Sequence, residues 1–437
     1  MEPLSTFDLL LQSTWEAPLQ TVTPREVTVP SLPGKATALV GMRRVGKTSW
    51  MFGAMRARLA EGLPRERLVY VNFEDERLAR LTLDGLRELP EAAYRLAPAE
   101  PGAERWFFLD EIQNVQGWER FVRRLVDAPG VRVVITGSSS KLLSAEVATS
   151  MRGRSLATEI APFSFREALD FHGVARPVHL PPGEVERGHI ERAFLRYVET
   201  GGFPEVQNVD ARVRDAILRD YVDVVILRDV IERHGVSNVP VLRQLVRRLL
   251  GAPGGEFTVN RFVNDLKSQG IAASRESVHA LMEHLADAFL VTPLHIASDS
   301  QRKRAANPSK VYPIDPALCV SSAITRSPNL GHALEVLVHA ELRRRGYEVA
   351  WARTAAGAEI DFVARKRGAE PLLVQVCWDF SDPGTRAREL RGFDEAAVEH
   401  EIRQGLVITT TATEDLSVGR CDVAIRPAWW WLLEPLT

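Results

Sequence analysis

The stretch "ALVGMRRVGKTSWMFGAM", residues 38–55, joins an apolar segment to an amphipathic one through a loop with a fixed spacing of glycine, lysine and threonine. The pattern G-x-x-x-x-G-K-[ST] is matched here by Gly41, Gly46, Lys47 and Thr48. Where such a loop follows a strand and opens a helix, its backbone N–H groups and the helix N-terminus hold phosphate groups. The stretch therefore predicts a phosphate-binding loop in a parallel α/β sheet.

The side chains of this loop have distinct expected roles. Lys47 is expected to reach the β- and γ-phosphate oxygens of a nucleotide, and the hydroxyl of Thr48 is expected to bind Mg²⁺. The alternative interpretation, a glycine turn that carries a surface lysine, leaves the flanking strand and helix unexplained. We therefore predict that ATP and Mg²⁺ are bound by the loop residues Gly41, Arg43, Arg44, Val45, Gly46, Lys47, Thr48 and Ser49.

A second apolar segment, "RWFFLDE", ends in the carboxylates of Asp110 and Glu111, about 60 residues after the loop. We expect Asp110 to hold Mg²⁺ through water and Glu111 to orient and polarise the water that attacks the γ-phosphate. Acidic residues after a strand also begin helices, because the helix dipole favours them there. In combination with the loop, the pair predicts nucleotide hydrolysis.

Other polar residues downstream are further candidates for the same chemistry. The segment "VRVVITGSSS" ends in hydroxyl side chains, so Ser138 or Ser139 is a candidate for contacting the γ-phosphate, and a serine turn or helix cap is the alternative. "MRGRS" supplies Arg152 and Arg154, either of which can stabilise phosphoryl charge from the same or a neighbouring subunit. A solvated basic turn is the alternative for both arginines. Whether the chain acts as a monomer or as a homo-oligomeric ring stays open.

The composition bounds the class of protein. A chain of 437 residues, 45% of them hydrophobic, exceeds one compact domain, and its net charge of −2 means that any basic surface must be local. Cys319, Cys377 and Cys421 have no zinc-finger or redox spacing, which indicates a reducing cytosol without a disulfide framework. No window approaches the ~20 apolar residues of a membrane span, so we expect a cytoplasmic protein.

The apolar pattern changes along the chain. Between residues 36 and 160, short apolar runs alternate with amphipathic segments, as is typical of buried parallel strands with crossover helices. From "PFSFREALDF" the period becomes helical. After a break at "GAPGG", residues 251–255, two helices and a strand follow in the order of a winged helix-turn-helix. A small α/β unit follows from about residue 315.

The motifs "GMRRVGKT", "FFLDEIQ", "VVITGSSSKLLS" and "RGRSLATEIAPFSFREAL", in this order, resemble a prokaryotic AAA-type ATPase family with a C-terminal domain of unknown function. The resemblance covers nearly the whole chain. It implies an α/β fold in four parts: a P-loop AAA-type ATPase domain at 1–165, a helical lid at 166–245, a winged helix-turn-helix at 246–312 and a degenerate nuclease-like α/β domain at 313–437.

The same family is similar to signal-transducing ATPases with numerous domains, in which a Gly-x-Pro element of the lid contacts the adenine. "GGFPEV" offers Gly202, Phe203 and Pro204 for that role. A turn that ends a helix is the alternative interpretation, because glycine and proline serve that purpose in any helix.

Two segments bear on a DNA partner. The helix "SRESVHALMEHL" has Glu276 and Glu283 beside its basic residues and therefore no strongly positive face. The segment "SDSQRKRAANPSK", residues 298–310, would form the wing, and it is a candidate for salt-dependent phosphate contacts. A solvated charged hairpin is the alternative for its cations, which are Arg302, Lys303, Arg304 and Lys310.

The last part resembles nucleases of the PD-(D/E)XK type through Glu335, Asp361 and Gln375. Such nucleases need carboxylates that hold Mg²⁺ and a lysine two residues after the second acidic or amide position. Cys377 stands where that lysine should be, so we expect a site without its charge partner, feeble or lost cleavage, and Cys377 as a small core residue.

Three functions are therefore compatible with the sequence. The one we expect is an ATP-hydrolysing AAA-type protein that couples turnover, through its lid, to DNA binding or remodelling. The second is a nucleotide-gated switch or scaffold that regulates a protein partner and whose turnover ignores DNA. The third is an active metal-dependent nuclease, against which Cys377 argues.

The closing "RPAWWWLLEPLT", if it is a strand, would leave a tryptophan for a subunit interface.

Overall fold

The structure is a computed structural model that describes residues 4–137, 151, 153–322 and 329–435. The chain divides into two compact units, Met1–Ala161 and Pro162–Thr437. No helix among the described residues has both the length and the apolar character needed to cross a membrane.

The first unit is built around a five-stranded sheet in which every neighbouring pair is parallel. The order is β2-β3-β4-β1-β5, and the strands are β1 Ala36–Val40, β2 Leu68–Asn72, β3 Arg105–Asp110, β4 Val131–Gly137 and β5 Ser155–Glu159. Strands β1 and β3 are buried at every position, which explains why the sequence shows continuous apolar runs there. The parallel sheet predicted from the sequence is confirmed.

Helices cover this sheet: α1 Thr6–Glu16, α2 Lys47–Ala60, α3 Glu88–Leu96 and α4 Trp118–Val126. Helix α1 begins with a capping box between Ser5 and Asp8, which satisfies two backbone N–H groups of the first turn. Helix α4 buries Trp118, Phe121 and Leu125, which recur at helical spacing. These helices leave the carboxyl edge of the sheet to the loops.

The second unit begins with a helical part, as its apolar period predicts. The helices are α5 Phe165–Phe171, α6 Glu184–Thr200, α7 Ala211–Val224, a π-helix at Val225–Glu232 that continues α7, and α8 Val239–Gly251. A capping box between Ser164 and Glu167 starts α5. The part for which a winged helix-turn-helix is predicted contains β6 Glu256–Phe257, α9 Val259–Ser268, α10 Arg275–Asp287, β7 Val291–Leu294, α11 Gln301–Ala306 and β8 Ser309–Pro313.

The three strands of the winged-helix part form an antiparallel sheet in the order β6-β8-β7. Arg302, Lys303 and Arg304 are exposed on α11, between β7 and β8, and their role as a wing stays a prediction. The prediction that Lys310 joins them on the surface is wrong. Lys310 lies in β8 with 2% of its surface exposed, because its ammonium is turned into the unit.

A mixed six-stranded sheet forms the C-terminal part, in the order β13-β14-β12-β11-β10-β9. Its elements are α12 Pro316–Ser322, α13 Leu330–Arg344, β9 Glu348–Arg353, β10 Glu359–Arg365, β11 Leu372–Val376, α14 Pro383–His400, β12 Gln404–Thr409, β13 Glu414–Val418, β14 Cys421–Pro427 and α15 Ala428–Leu433. Helix α13 packs with one apolar cluster of the unit and α14 with a second. Strand β10 has an irregular register between Ile360 and Val363.

The closing tryptophans are helical, so the interface expected from a strand is not supported. Trp429 and Trp431 are buried in α15, and Trp430 is half-buried. On a helix, residues two positions apart diverge by about 200°, yet both rings find apolar neighbours because the helix packs into the unit.

Candidate functional site

The phosphate-binding loop connects β1 directly to α2. Gly46 has φ +98° and Gly41 has φ +146°, conformations that glycine adopts without strain. A Cβ atom on Gly41 would lie 2.3 Å from the carbonyl oxygen of Ile160. The two glycines of the motif are therefore required by backbone conformation and, at Gly41, by close approach of the neighbouring segment.

Lys47 curls back over the loop from the first turn of α2. Its Nζ donates to the carbonyl oxygens of Gly41, at 3.0 Å, and Met42, at 3.1 Å. The same atom lies 3.9 Å from Oε1 of Glu111. The structure thus brings together Lys47 and the carboxylate that the sequence analysis predicts to be catalytic.

Asp110 stands at the end of β3 and accepts three hydrogen bonds from hydroxyl groups. Oγ1 of Thr48 donates to its Oδ2 at 2.8 Å, Tyr70 Oη donates to the same oxygen at 2.9 Å, and Thr136 Oγ1 donates to Oδ1. Thr48 and Asp110 were predicted as the Mg²⁺ pair, and a hydroxyl beside a carboxylate is the oxygen donor set that Mg²⁺ accepts. Sequence analysis missed Tyr70 and Thr136, although both lie near the carboxyl ends of strands in this sheet.

Glu111 is held in an unusual backbone conformation. Its φ of +54° is left-handed, which is uncommon for a residue with a side chain and is concentrated at functional sites. Its N–H donates to Thr136 Oγ1 at 2.8 Å, and its carboxylate accepts from Gln113 Nε2. Burial raises the pKa of the Glu111 carboxyl, while Lys47 partly opposes the increase. A carboxylate with a raised pKa is a better proton acceptor near neutral pH.

The remaining predicted residues of the first unit occupy different surroundings. Arg43 pairs with Glu74 at 3.1 Å, and the carbonyl of Val45 accepts from Arg25 Nη1 at 3.0 Å, a brace that sequence analysis missed. Arg154 forms an ion pair with Asp127 on the surface. Ser138, Ser139 and Arg152 lie outside the described residues, and the arginine that acts on the phosphoryl group stays a prediction.

The "GGFPEV" element packs inside the second unit. Gly202 N–H donates to Oδ2 of the buried Asp315 at 2.7 Å, and Pro204 begins a short 3₁₀ helix. A Cβ on Gly201 would lie 1.9 Å from Oδ1 of Asp315. Burial raises the pKa of Asp315 to about 6. Packing alone thus requires these glycines, and the adenine contact of Pro204 stays a prediction.

A second group of polar side chains meets in the C-terminal part, and we call it the acidic site. It contains the predicted residues Glu335 on α13, Asp361 on β10 and Gln375 on β11, and also Glu359 on β10. Backbone N–H of Val376 donates to Asp361 Oδ2 at 3.0 Å, and Gln375 Oε1 accepts from Asp361 N–H at 3.2 Å. The sequence motif therefore does converge in space, at the irregular register of β10.

Lys310 from β8 lies in the middle of the acidic site. Its Nζ is 2.8 Å from Glu359 Oε1, 3.1 Å from Asp361 Oδ1 and 3.5 Å from Glu335 Oε1. Tyr312, two residues further along β8, donates to Glu335 Oε1 at 2.6 Å. The expectation that this site lacks its charge partner is wrong, because an ammonium arrives from a strand outside the motif.

The pKa values of the ionisable groups in the acidic site are shifted from their ordinary values. Burial opposes the ammonium of Lys310, but Asp361, Glu335 and Glu359 attract it and the net effect raises its pKa. Burial and the charge of Asp361 raise the pKa of Glu335 to about 7, against the opposing effect of Lys310. One ammonium thus does not fully compensate three carboxylates, and Glu335 takes up a proton near neutrality.

A cavity of about 490 Å³ opens beside these carboxylates, and Glu389, Glu395, Arg388 and Arg391 also line it. Cys377 takes no part in the charge cluster. It is 7% exposed, packs in the apolar cluster of α14, and its thiol has a pKa raised to about 11 by burial. The prediction that Cys377 is a core residue is confirmed.

Comparison with known proteins identifies three segments of the chain. Residues 33–169 match a family described as an AAA domain, residues 191–329 match a domain of unknown function, and residues 329–418 match a family described as restriction endonuclease. Lys310 and Tyr312 lie outside the last of these segments.

Two further proteins are similar to this one over most of the chain. An uncharacterized protein of Methanocaldococcus jannaschii is 33% identical over 419 residues, which cover 94% of this chain and 90% of the relative. An uncharacterized protein of Haemophilus influenzae is 28% identical over 344 residues, with coverages of 78% and 82%. Among solved structures, the Walker-type ATPase of Pyrococcus abyssi has a TM-score of 0.41 and 14% identity, covering 66% of this chain and 90% of that one.

Proposed function

We propose that the first unit binds ATP with Mg²⁺ and hydrolyses it. The chain belongs to the AAA-type P-loop ATPase family through its residues 33–169, and to one family with its relative from Methanocaldococcus jannaschii over nearly its whole length. The observation that carries this proposal is the hydrogen bond of 2.8 Å between Thr48 and Asp110, with Lys47 and Glu111 at 3.9 Å beside it. These side chains would supply the phosphate contact, the metal ligands and the base that nucleotide hydrolysis uses.

The loop and Lys47 would hold the phosphates, and Thr48 and Asp110 would hold the metal ion. Mg²⁺, when bound there, would neutralise charge on the phosphate oxygens. In the proposed reaction the carboxylate of Glu111 takes a proton from water, and the water oxygen forms a bond to the γ-phosphorus. The bond from that phosphorus to the bridging oxygen breaks, which leaves ADP and phosphate.

Steady-state ATP turnover by the full chain tests this proposal. Glu111→Gln should lower kcat by about 10²- to 10⁴-fold, the contribution typical of a general base, while nucleotide binding persists. Glu66→Gln makes the same chemical change at an exposed carboxylate of the same unit and should leave kcat unchanged. Equal turnover by wild type and Glu111→Gln would contradict the assignment.

We further propose that DNA is the partner to which turnover is coupled. The similarity of residues 329–418 to restriction endonucleases and the exposed Arg302, Lys303 and Arg304 support this partner. Duplex DNA should then stimulate Glu111-dependent turnover, and raised salt should weaken the effect because phosphate contacts release counterions. Turnover that is indifferent to every DNA would favour the nucleotide-gated switch.

The parts 166–245, 246–312 and 313–437 remain our proposed division of the second unit.

A second candidate function is phosphodiester hydrolysis at the acidic site, and the placement of Lys310 favours it. Glu335 and Asp361 offer carboxylate oxygens, which suit Mg²⁺, and one ammonium leaves part of their charge uncompensated. Mg²⁺, when bound at these carboxylates, would supply a Lewis acid. Lys310 would attract the phosphate and stabilise charge on it.

Cleavage of supercoiled and linear DNA in Mg²⁺ or Mn²⁺ tests this second function. Wild type and Glu111→Gln should cut equally without ATP, whereas Asp361→Asn should not cut, since it keeps the shape of the side chain but loses its charge. Cleavage that persists in Asp361→Asn points to a contaminant. No cleavage by the wild type on any of these substrates rejects the function.

A further inference from the structure

Two histidines and one aspartate meet between the helical part and the winged-helix part of the second unit. His234 follows the π-helix Val225–Glu232, and His284 and Asp287 lie on α10. Ligand atoms of the three side chains all lie within 4.8 Å of one another, and each residue is partly buried. This cluster is distant in sequence from both sites described above.

The local sequence places the three side chains at one spot. His284 and Asp287 are three residues apart, so they lie on the same side of α10. Leu281 and Leu285 of α10 are buried, so His284 and Asp287 flank the apolar face at the boundary with solvent. Gly235 has φ +64°, which ends the helix immediately after His234. The imidazole of His234 is thereby fixed at a helix end that packs beside α10.

The two imidazole rings lie face to face, so at least one of them would turn for a nitrogen atom of each ring to point at the same ion. The ring centroids of His234 and His284 are 3.7 Å apart, with an angle of 12° between the planes. A neutral imidazole is the form that binds a metal ion.

We propose that His234, His284 and Asp287 bind a first-row divalent cation of the Zn²⁺ class. Two imidazole nitrogens and one carboxylate oxygen suit Zn²⁺ and its neighbours, whereas Mg²⁺ and Ca²⁺ prefer oxygen ligands throughout. Three protein ligands leave a fourth tetrahedral position for water. Tetrahedral bonds of about 2.0–2.1 Å place ligand atoms about 3.3 Å apart, so the side chains would draw in by at most ~1.5 Å.

The ion would bridge two helices of the second unit that are not consecutive in the sequence. One is the end of the helix that runs through α7 and the π-helix, and the other is α10, the second helix of the helix-turn-helix. Binding would resist separation of these helices and would stabilise the folded unit, because the unfolded chain holds no such site. The proposal is independent of the nucleotide site and of the acidic site.

Zinc binding to the full-length protein tests the proposal, with excess Mg²⁺ present to occupy sites made of oxygen ligands. Calorimetric titration should show one equivalent of Zn²⁺ bound, and thermal unfolding should shift to higher temperature. His284→Ala and Asp287→Asn should each weaken binding by about tenfold or more, because even changes to the groups around metal ligands cost 10- to 100-fold. His279→Ala, an exposed histidine on the same helix, is the matched control and should bind as the wild type does.

A spectroscopic measurement on the wild type removes dependence on variants that fail to fold. Co²⁺ should give visible absorption bands of a tetrahedral site without the near-ultraviolet band of thiolate ligation, since the three cysteines are buried elsewhere. A thiolate band, unchanged affinity in His284→Ala and Asp287→Asn, or no binding by the wild type would each overturn the proposal.

Discussion

The nucleotide site and the acidic site differ in where their cations come from. In the nucleotide site, Lys47 and Thr48 are the first two residues of α2, directly after the loop that leaves β1, and the facing carboxylates are the last residue of β3 and the residue after it. In the acidic site, Lys310 lies on β8 of another sheet, 51 residues before the carboxylate of Asp361 that it contacts. A site can therefore contain a cation even where the sequence motif lacks its lysine, because Coulomb attraction depends on distance in space and not on position in the chain.

The two sites also differ in charge balance. The Nζ atom of Lys47 lies 3.9 Å from the carboxylate of Glu111 and donates to two loop carbonyls, whereas Lys310 has three carboxylates within 3.5 Å. We therefore expect Lys47 to matter chiefly for binding phosphate and Lys310 chiefly for holding buried charges together. The following predictions test this contrast.

Removal of the two lysines should give the largest difference. Lys310→Met should lower the free energy of unfolding by about 3 kcal/mol, because it leaves buried carboxylates without their cation. Lys47→Met should lower it by about 1 kcal/mol and abolish ATP binding, because mainly hydrogen bonds to the loop are lost. Urea unfolding and nucleotide titration measure the two effects. Lys303→Met, on exposed α11, is the control, and equal losses at Lys47 and Lys310 would remove the contrast.

The acidic site should also make stability depend on pH. The pKa of Glu335 is raised to about 7 from an ordinary 4.5, so the folded protein keeps a proton that the unfolded chain has released. Its contribution to stability therefore falls as the pH rises from about 4.5 to about 7 and is level above that. Glu335→Gln keeps the acceptor for Tyr312 but cannot ionise. Relative to wild type it should gain about 3 kcal/mol between pH 4.5 and pH 8. Parallel pH profiles of urea unfolding would contradict the prediction.

A smaller effect is expected at Thr136 in the nucleotide site. Its hydroxyl accepts from Glu111 N–H and donates to Asp110, so Thr136→Val leaves buried groups without a partner. We expect a loss of about 1.5 kcal/mol in the free energy of unfolding and a several-fold higher Mg²⁺ requirement for ATP turnover. Thr158→Val, in half-buried β5, is the matched control. A normal Mg²⁺ requirement would show that Thr136 does not position Asp110.

The smallest effect is expected at Cys377. Cys377→Ala removes a buried sulfur from the cluster beneath α14, so we expect a loss of about 1 kcal/mol. The pH profile that reports Glu335 should be unchanged, since Lys310 supplies the cation of that site. A shifted profile would mean that the thiol belongs to the acidic site after all.

The sequence predicted that Lys47, Thr48, Asp110 and Glu111 would lie close together, because the information for that placement is local. One motif of eight consecutive residues contains Gly41, Gly46, Lys47 and Thr48. Asp110 is the last residue of a strand whose parallel neighbours end at the same edge of the sheet. The same argument would have found Tyr70 and Thr136, which lie near the ends of β2 and β4. The left-handed φ of Glu111 had no sequence signal, since that conformation is imposed by the surrounding turn.

By itself, then, the sequence determined the parallel sheet, the position of the phosphate loop between β1 and α2, the helical start of the second unit, and the carboxylates that meet in the acidic site. Tertiary structure decided which cation those carboxylates meet, that the tryptophan row is helical, and that His234 lies against α10. The physical reason is the same in each case. Periodicity and spacing are properties of neighbours along the chain, whereas charge neutralisation and packing are settled by whichever groups the folded chain brings within a few ångströms.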